Sequence, residues 1–201
     1  MVTFPFILAS QSASRAALLT RVGIPFVQVP SVVDEDAHKE HFLKTHTGPL
    51  SALALFLAHQ KGRDVSLRHP DAMVLAADQI LVFQETVYNK AKTLDEAAAV
   101  LKTLRHQTHT LPTAMVLYRG GEAVWEHLDI PTLRMRDFSD AFLQDYLQQH
   151  GQTALSAVGC YQIEGAGLHL MAEVTGDSST IQGLALLPLL EQLRHFGILN
   201  A

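Results

Sequence analysis

Hydroxyl side chains next to an arginine, acids at the ends of apolar runs, and isolated lysines are the residue types that phosphate chemistry needs. The stretch Ala9-Ser10-Gln11-Ser12-Ala13-Ser14-Arg15 joins an apolar run to a helical pattern. The N–H groups of such a loop and of the helix start behind it carry positive potential that suits a phosphate. Arg15 adds a fork of donors matched to phosphate oxygens. The same residues also read as a plain helix cap through Ser12 or Ser14. Two acidic stretches follow. Val33-Asp34-Glu35-Asp36 can hold Mg²⁺, which takes a few carboxylates together with water and substrate oxygens, or it is a solvated acidic loop. Asp78, in Ala76-Ala77-Asp78-Gln79, ends an apolar strand pattern, where open α/β sheets place their ligands. It can bind a metal or act as general base on water, or simply turn the chain. Lys61 and Lys90 can each neutralise phosphate, although either alone reads as a surface residue. In Gly159-Cys160-Tyr161-Gln162-Ile163-Glu164-Gly165-Ala166-Gly167, three glycines imply close backbone approach or positive φ, and Glu164 between them can read a base edge. No strand-to-helix unit surrounds it, so it is not a dinucleotide fingerprint.

Other chemistries find less support. There are eleven histidines, but His106 and His109 lack cysteine company and His38 and His41 lie in a polar stretch, which argues against zinc. No G-x-S-x-G elbow is present for serine hydrolysis. The single cysteine, Cys160, excludes an intramolecular disulfide, and its apolar, glycine-rich setting suggests packing.

The elements that must position these residues alternate. An apolar strand over Phe4–Ala9 leads to a helix carrying Leu18, Leu19 and Val22, stopped by Gly23. Phe26–Val29 reads as a second strand and Leu50–Lys61 as an amphipathic helix, with Lys61 at its end facing the helix dipole. Met73–Ala77 is a buried strand, Ile80–Phe83 continues extended, and Glu85-Thr86 turns a hairpin. Leu94–Leu104 is a helix; Thr108–Tyr118 and Ala123–Leu128 pair through Gly120-Gly121. Thr132–Met135 is a strand, Ser139 caps a helix over Asp140–Gln149, and Leu184–Phe196 is the last helix. Such an order predicts an α/β fold with a mixed sheet. With 201 residues, 48% of them hydrophobic and 17% charged, one compact domain is expected, with room for two lobes around a cleft. A net charge of −5 without basic runs argues against nucleic-acid binding. The absence of an apolar run of membrane-spanning length, and of a basic segment at the start, leads us to expect a cytoplasmic, membrane-free protein.

In combination, these segments resemble the Maf family of nucleoside triphosphate pyrophosphatases. The similarity runs through Leu8-Ala9-Ser10-Gln11-Ser12-Ala13-Ser14-Arg15, Leu18-Leu19, Gly23-Ile24 and Asp34-Glu35. It continues through Lys61, Asp78-Gln79, Lys90-Ala91, Gln107-Thr108-His109, Gly159-Cys160-Tyr161 and Gly183-Leu184-Ala185-Leu186. The chain departs from the family pattern where Ala13 stands for proline, Ser14 for the first arginine, Ala91 for the proline after Lys90, and Ala185 for a late proline. The resemblance implies one Maf-like domain over residues 1–201: an α/β, Maf/ITPase-like mixed twisted sheet with flanking helices, two lobes around a central cleft. It implies hydrolysis of the α–β bond of a nucleoside triphosphate, with Mg²⁺ or Mn²⁺ on Glu35 and Asp78. Asp78 would be the proton acceptor, and Arg15, Lys61 and Lys90 would neutralise phosphates, aided by Ser10, Ser12 and Ser14. Gln79 with Glu164 is similar to the 7-methyl-GTP type, in which a carboxylate accepts from the guanine edge. A homodimer is implied by the family alone. The alternative is a catalytically weak nucleotide-binding regulator linked to cell division.

Overall fold

A computed structural model describes residues 5–200; Phe4, the expected start of the first strand, lies outside the described residues. In chain order the elements are β1 (Phe6–Leu8), α1 (Ala13–Arg21), β2 (Val27–Gln28), α2 (Glu35–Thr45), α3 (Ala52–Arg68) and β3 (Met73–Gln79). Next come β4 (Leu81–Phe83), β5 (Thr86–Tyr88), α4 (Leu94–Leu104), β6 (Thr108–Thr110), β7 (Thr113–Arg119), β8 (Glu122–Asp129) and β9 (Thr132–Met135). The chain closes with α5 (Asp140–Ser156), a 3₁₀ turn over Ala166–Leu170, β10 (Met171–Thr175), α6 (Ser178–Ile181) and α7 (Leu186–His195). Two compact units result. The first gathers residues 5–79, Thr113–Asp129 and 178–200; the second holds Ile80–Pro112 and Ile130–Asp177.

The first unit is built on a five-stranded sheet, β2-β1-β3-β7-β8. β1 pairs in parallel with β2 and β3, while β3–β7 and β7–β8 are antiparallel. Parallel strands need both faces covered, and β1 and β3 show it: Leu8, Val74, Leu75, Ala76 and Ala77 are fully buried. Leu18 and Leu19 of α1, Met115 and Leu117 of β7, and Leu189 and Leu193 of α7 join Leu8 and Leu75 in one core. α1 starts on Ser12, whose hydroxyl accepts from the Arg15 N–H, and ends where Gly23, at φ +72°, donates back to Thr20. Ala13 occupies the first helical position, where proline is favoured but not required.

The second unit carries an antiparallel sheet, β10-β9-β6-β4-β5. Its β4–β5 hairpin turns at Gln84-Glu85, both at positive φ, the geometry of a two-residue primed turn. The expected single strand over Thr108–Tyr118 is therefore two strands in two sheets. The break falls at Leu111-Pro112, since proline has no N–H for a ladder.

Other expectations change in extent. The helix read as Leu50–Lys61 runs on to Arg68, so Lys61 lies inside it and not at its end. The helix after Ser139 continues to Ser156, past the expected Gln149, and β10 and the 3₁₀ turn were not legible. The acidic stretch after the second strand starts a helix, α2, capped by Asp34 with Glu35 and Asp36 in its first turn, where negative charge meets the positive end of the dipole.

Candidate active site

In the first unit the loop between β1 and α1 folds onto its own hydroxyls. Ser12 N–H donates to Ser10 Oγ (3.1 Å), and so does Arg15 Nη1 (3.2 Å). Ser10 is buried, and its carbonyl accepts from Gln28 Nε2 (2.7 Å), which fixes the loop against β2. Arg15 Nε donates to the Gly183 carbonyl (3.2 Å). Two of the five N–H groups of this guanidinium are thereby used inside the unit. Burial pulls the Arg15 pKa below its ordinary value, against the opposing fields of Asp78 and Glu35. Ser14 stands half-buried in the first turn of α1.

The acids and Lys61 come together. Lys61, 7% exposed, reaches from α3 to Asp78 Oδ1 (2.6 Å) on β3 and to Glu35 Oε2 (2.7 Å) on α2. Asp78 is 6% exposed. Burial raises its pKa above the carboxylate norm; Lys61 and Arg15 pull it back, and Glu35 pushes it up again. A carboxylate so placed is a stronger base than one in water, and the ammonium opposes the shift by favouring the charged form. Asp34 is used differently: its Oδ1 accepts from Ala37 N–H (3.0 Å) as the cap of α2. Lys39, on α2 and half-buried, feels both Asp36 and Asp78, and desolvation lowers its pKa. The sequence reading passed over Lys39; the spacing Asp36…Lys39 would have exposed it had α2 been recognised as a helix.

Gln79, next to Asp78, has its amide nitrogen engaged with Thr113 Oγ1 (2.8 Å) and the carbonyls of Thr180 (3.1 Å) and Ile181 (3.0 Å). Ser10, Ser12, Ser14, Arg15, Glu35, Lys61, Asp78 and Gln79 thus all belong to the first unit. Lys90 and Glu164 belong to the second. Lys90 is exposed shortly after β5, and Glu164 is exposed in the turn before the 3₁₀ segment. That turn is tight: Gly165 N–H donates to the Gln162 carbonyl, and a Cβ on Gly167 would stand 2.5 Å from the same oxygen.

Among the described residues, no three or more His, Cys, Asp or Glu side chains group as a self-sufficient metal site. Two carboxylates nevertheless converge on one cation, the Lys61 ammonium. That donor set fits a hard divalent ion whose remaining ligands are water and phosphate oxygens.

A family profile described as Maf-like protein matches residues 5–196. The chain belongs to the Maf-like family. It is similar to a "Nucleoside triphosphate pyrophosphatase" of Rhodospirillum rubrum, 45% identical over 97% of this chain and 96% of that one. A protein of the same name from Gluconobacter oxydans is also 45% identical, over 97% of this chain and 96% of that one. A "7-methyl-GTP pyrophosphatase" of Rhizobium meliloti is 38% identical over 97% of this chain and 98% of that one. The two names divide on substrate and agree on the reaction. No described helix of this Maf-like chain is long and apolar enough to cross a membrane.

Proposed function

We propose that this Maf-like protein is a nucleoside triphosphate pyrophosphatase, converting its substrate to the monophosphate and pyrophosphate, and that it prefers 7-methyl-GTP or another guanine-type nucleotide. The observation that carries the reaction is the buried Asp78 held by Lys61 and Glu35, in the same unit as the Arg15–Ser10 loop. The names of the relatives support the same chemistry.

Asp78 accepts a proton from water as the water oxygen bonds to phosphorus and the α–β bridge breaks. The attacked phosphorus is the α one, and the electron pair of the broken bond leaves on the bridging oxygen with the departing pyrophosphate. Arg15, with the N–H groups around Ser10 and Ser12, neutralises charge on the phosphates, and Lys61 favours the charged form of Asp78 and orients it. Glu35 and Asp78 are the residues that would hold Mg²⁺ or Mn²⁺, and a bound ion would offset the charge developing on pyrophosphate. By family resemblance Ser14 takes the place of a further arginine, so Arg15 is proposed to carry more of the phosphate contact. Lys90 is assigned to phosphate and Glu164 to the base by family resemblance. Gln79, with its nitrogen engaged, offers its carbonyl oxygen to a base N–H.

The test is product analysis across a panel of canonical and methylated nucleoside triphosphates, with and without Mg²⁺ and Mn²⁺. The proposal expects pyrophosphate and monophosphate in equal amounts, fastest with a guanine-type base and dependent on the cation. Diphosphate plus inorganic phosphate, or binding without turnover, would contradict it.

A further inference from the structure

The segment Ser178–Leu186, in the first unit, is held to β3 through Gln79 and closed on itself by its own hydrogen bonds. Near its start, the carbonyls of Thr180 and Ile181 accept from Gln79, the neighbour of Asp78. Near its end, the hydroxyl of Ser179 accepts from Leu186 N–H (3.1 Å), giving α7 the cap that Ala185 lacks a side chain to provide. Gly183 N–H donates to the Thr180 carbonyl (2.9 Å) and Leu184 N–H to that of Ser179 (3.0 Å), so the turn between is closed on itself. The Gly183 carbonyl emerges from this turn to accept from Arg15 Nε, while Arg15 Nη1 donates to Ser10.

Gly183 is suited to this place in two independent ways. Its φ of +114° is one that L side chains rarely adopt. A Cβ there would also press on Arg15, 3.2 Å from Nε and 3.4 Å from Cγ. The backbone conformation that aims the carbonyl and the space that admits the arginine stem both depend on the absence of a side chain.

We propose that Gly183 is a positioning residue for Arg15: its carbonyl and its missing side chain hold the guanidinium on Ser10, with the remaining N–H groups presented to the substrate phosphates. This rests on the reading of Arg15 as a phosphate-binding group. An arginine held at two of its donors meets its ligand with less rotamer freedom to lose. Gly183 itself contributes nothing to binding except through Arg15.

A double-mutant cycle separates the possibilities. KM and kcat are measured for wild type, Arg15→Ala, Gly183→Ala and the double variant, with the nucleotide wild type turns over best, alongside melting temperatures. Arg15→Ala is expected to raise KM by about tenfold or more, the loss of a charge-assisted hydrogen bond. Gly183→Ala is expected to raise KM several-fold, and in the Arg15→Ala background to change it by less than about twofold. Backbone strain at position 183 will lower the melting temperature in both backgrounds; only the KM effect should vanish with Arg15. If the alanine variant does not fold, Arg15→Lys, which keeps the charge but lacks the Nε–H that the Gly183 carbonyl accepts, takes its place, and a wild-type KM for it overturns the proposal. A KM effect that persists undiminished without Arg15, or a Gly183 variant with wild-type KM, overturns the proposal while leaving the phosphate role of Arg15 standing. A wild-type KM for Arg15→Ala overturns that role itself, and the proposal with it.

Discussion

At the scale of single residues, the Asp78–Lys61–Glu35 cluster is a compromise between burial and charge. Removing a carboxylate from water raises its pKa, and the ammonium at 2.6 Å opposes that rise at the cost of burying a second charge. Base selection is a separate residue-scale question, and in the proposed function it falls on Glu164. A carboxylate accepts from the N–H edge of guanine; an amide presents a donor as well and discriminates less. Glu164→Gln should lower kcat/KM for guanine-type nucleotides relative to the others by about tenfold. Relative kcat/KM values that do not move across the nucleotide panel would remove Glu164 from base selection. Several candidate positions were legible from residue type alone, because acids and cations at strand and loop ends have few structural uses. What they touch was not. Asp34 and Glu35 are adjacent and chemically alike, but one caps α2 and the other reaches Lys61. That division depends on helix phase, which a short polar stretch does not display. The engagement of the Gln79 amide with a segment about a hundred residues later was equally hidden.

At the scale of elements, α3 matters most, since it carries Lys61 against β3 and β7. Its neighbour Gly62 lets the helix approach: a Cβ there would lie 2.7 Å from Tyr118 Cδ2 and 3.1 Å from Val116 Cγ2. The Tyr118 ring cannot easily yield, because its hydroxyl is hydrogen-bonded to His59 Nδ1 (2.8 Å). Gly62→Ala gains about 1 kcal/mol of helix propensity against an overpacking cost of about 1–3 kcal/mol. A modest fall in chemical-denaturation stability is expected, and a rise would show that the helix has room to spare. In the second unit, β6 carries His109, 1% exposed, with Nε2 on the Tyr161 hydroxyl (2.6 Å) and Nδ1 without a hydrogen-bond partner. Burial lowers its pKa from the ordinary 6.5 to about 4. The unfolded chain therefore takes up the proton first, and stability is lost as pH falls from 6.5 towards 4. Between pH 7 and pH 5 the loss should be about 2 kcal/mol. Urea unfolding at the two pH values should show it in wild type and a smaller slope in His109→Gln; equal slopes would contradict the assignment. Helices with strong apolar spacing, such as α1 and α4, were legible within a few residues. By contrast, α2 was missed because, of its eleven residues, only Phe42 is buried, leaving no periodic stripe to read. The missed β10 is similarly exposed along nearly its whole length.

At the scale of the whole molecule, the chain builds two compact units from interleaved segments, each with its own five-stranded sheet. An alternating helix and strand order announced the α/β class, but one extended run split between two sheets was not separable by pattern. Leu111-Pro112 reads as an interruption only once the ladders on either side are known. Family membership extends over nearly all of both units, matching residues 5–196. The proposed pyrophosphatase reaction stands on Asp78 as the proton acceptor. The most direct test is pyrophosphate release by wild type and Asp78→Asn, at saturating nucleotide and with the better of Mg²⁺ and Mn²⁺. Asparagine keeps the shape and loses the basicity. A fall in kcat of about 10²-fold or more is expected with the fold intact; an Asp78→Asn protein that releases pyrophosphate at the wild-type rate would rule out Asp78 as the proton acceptor.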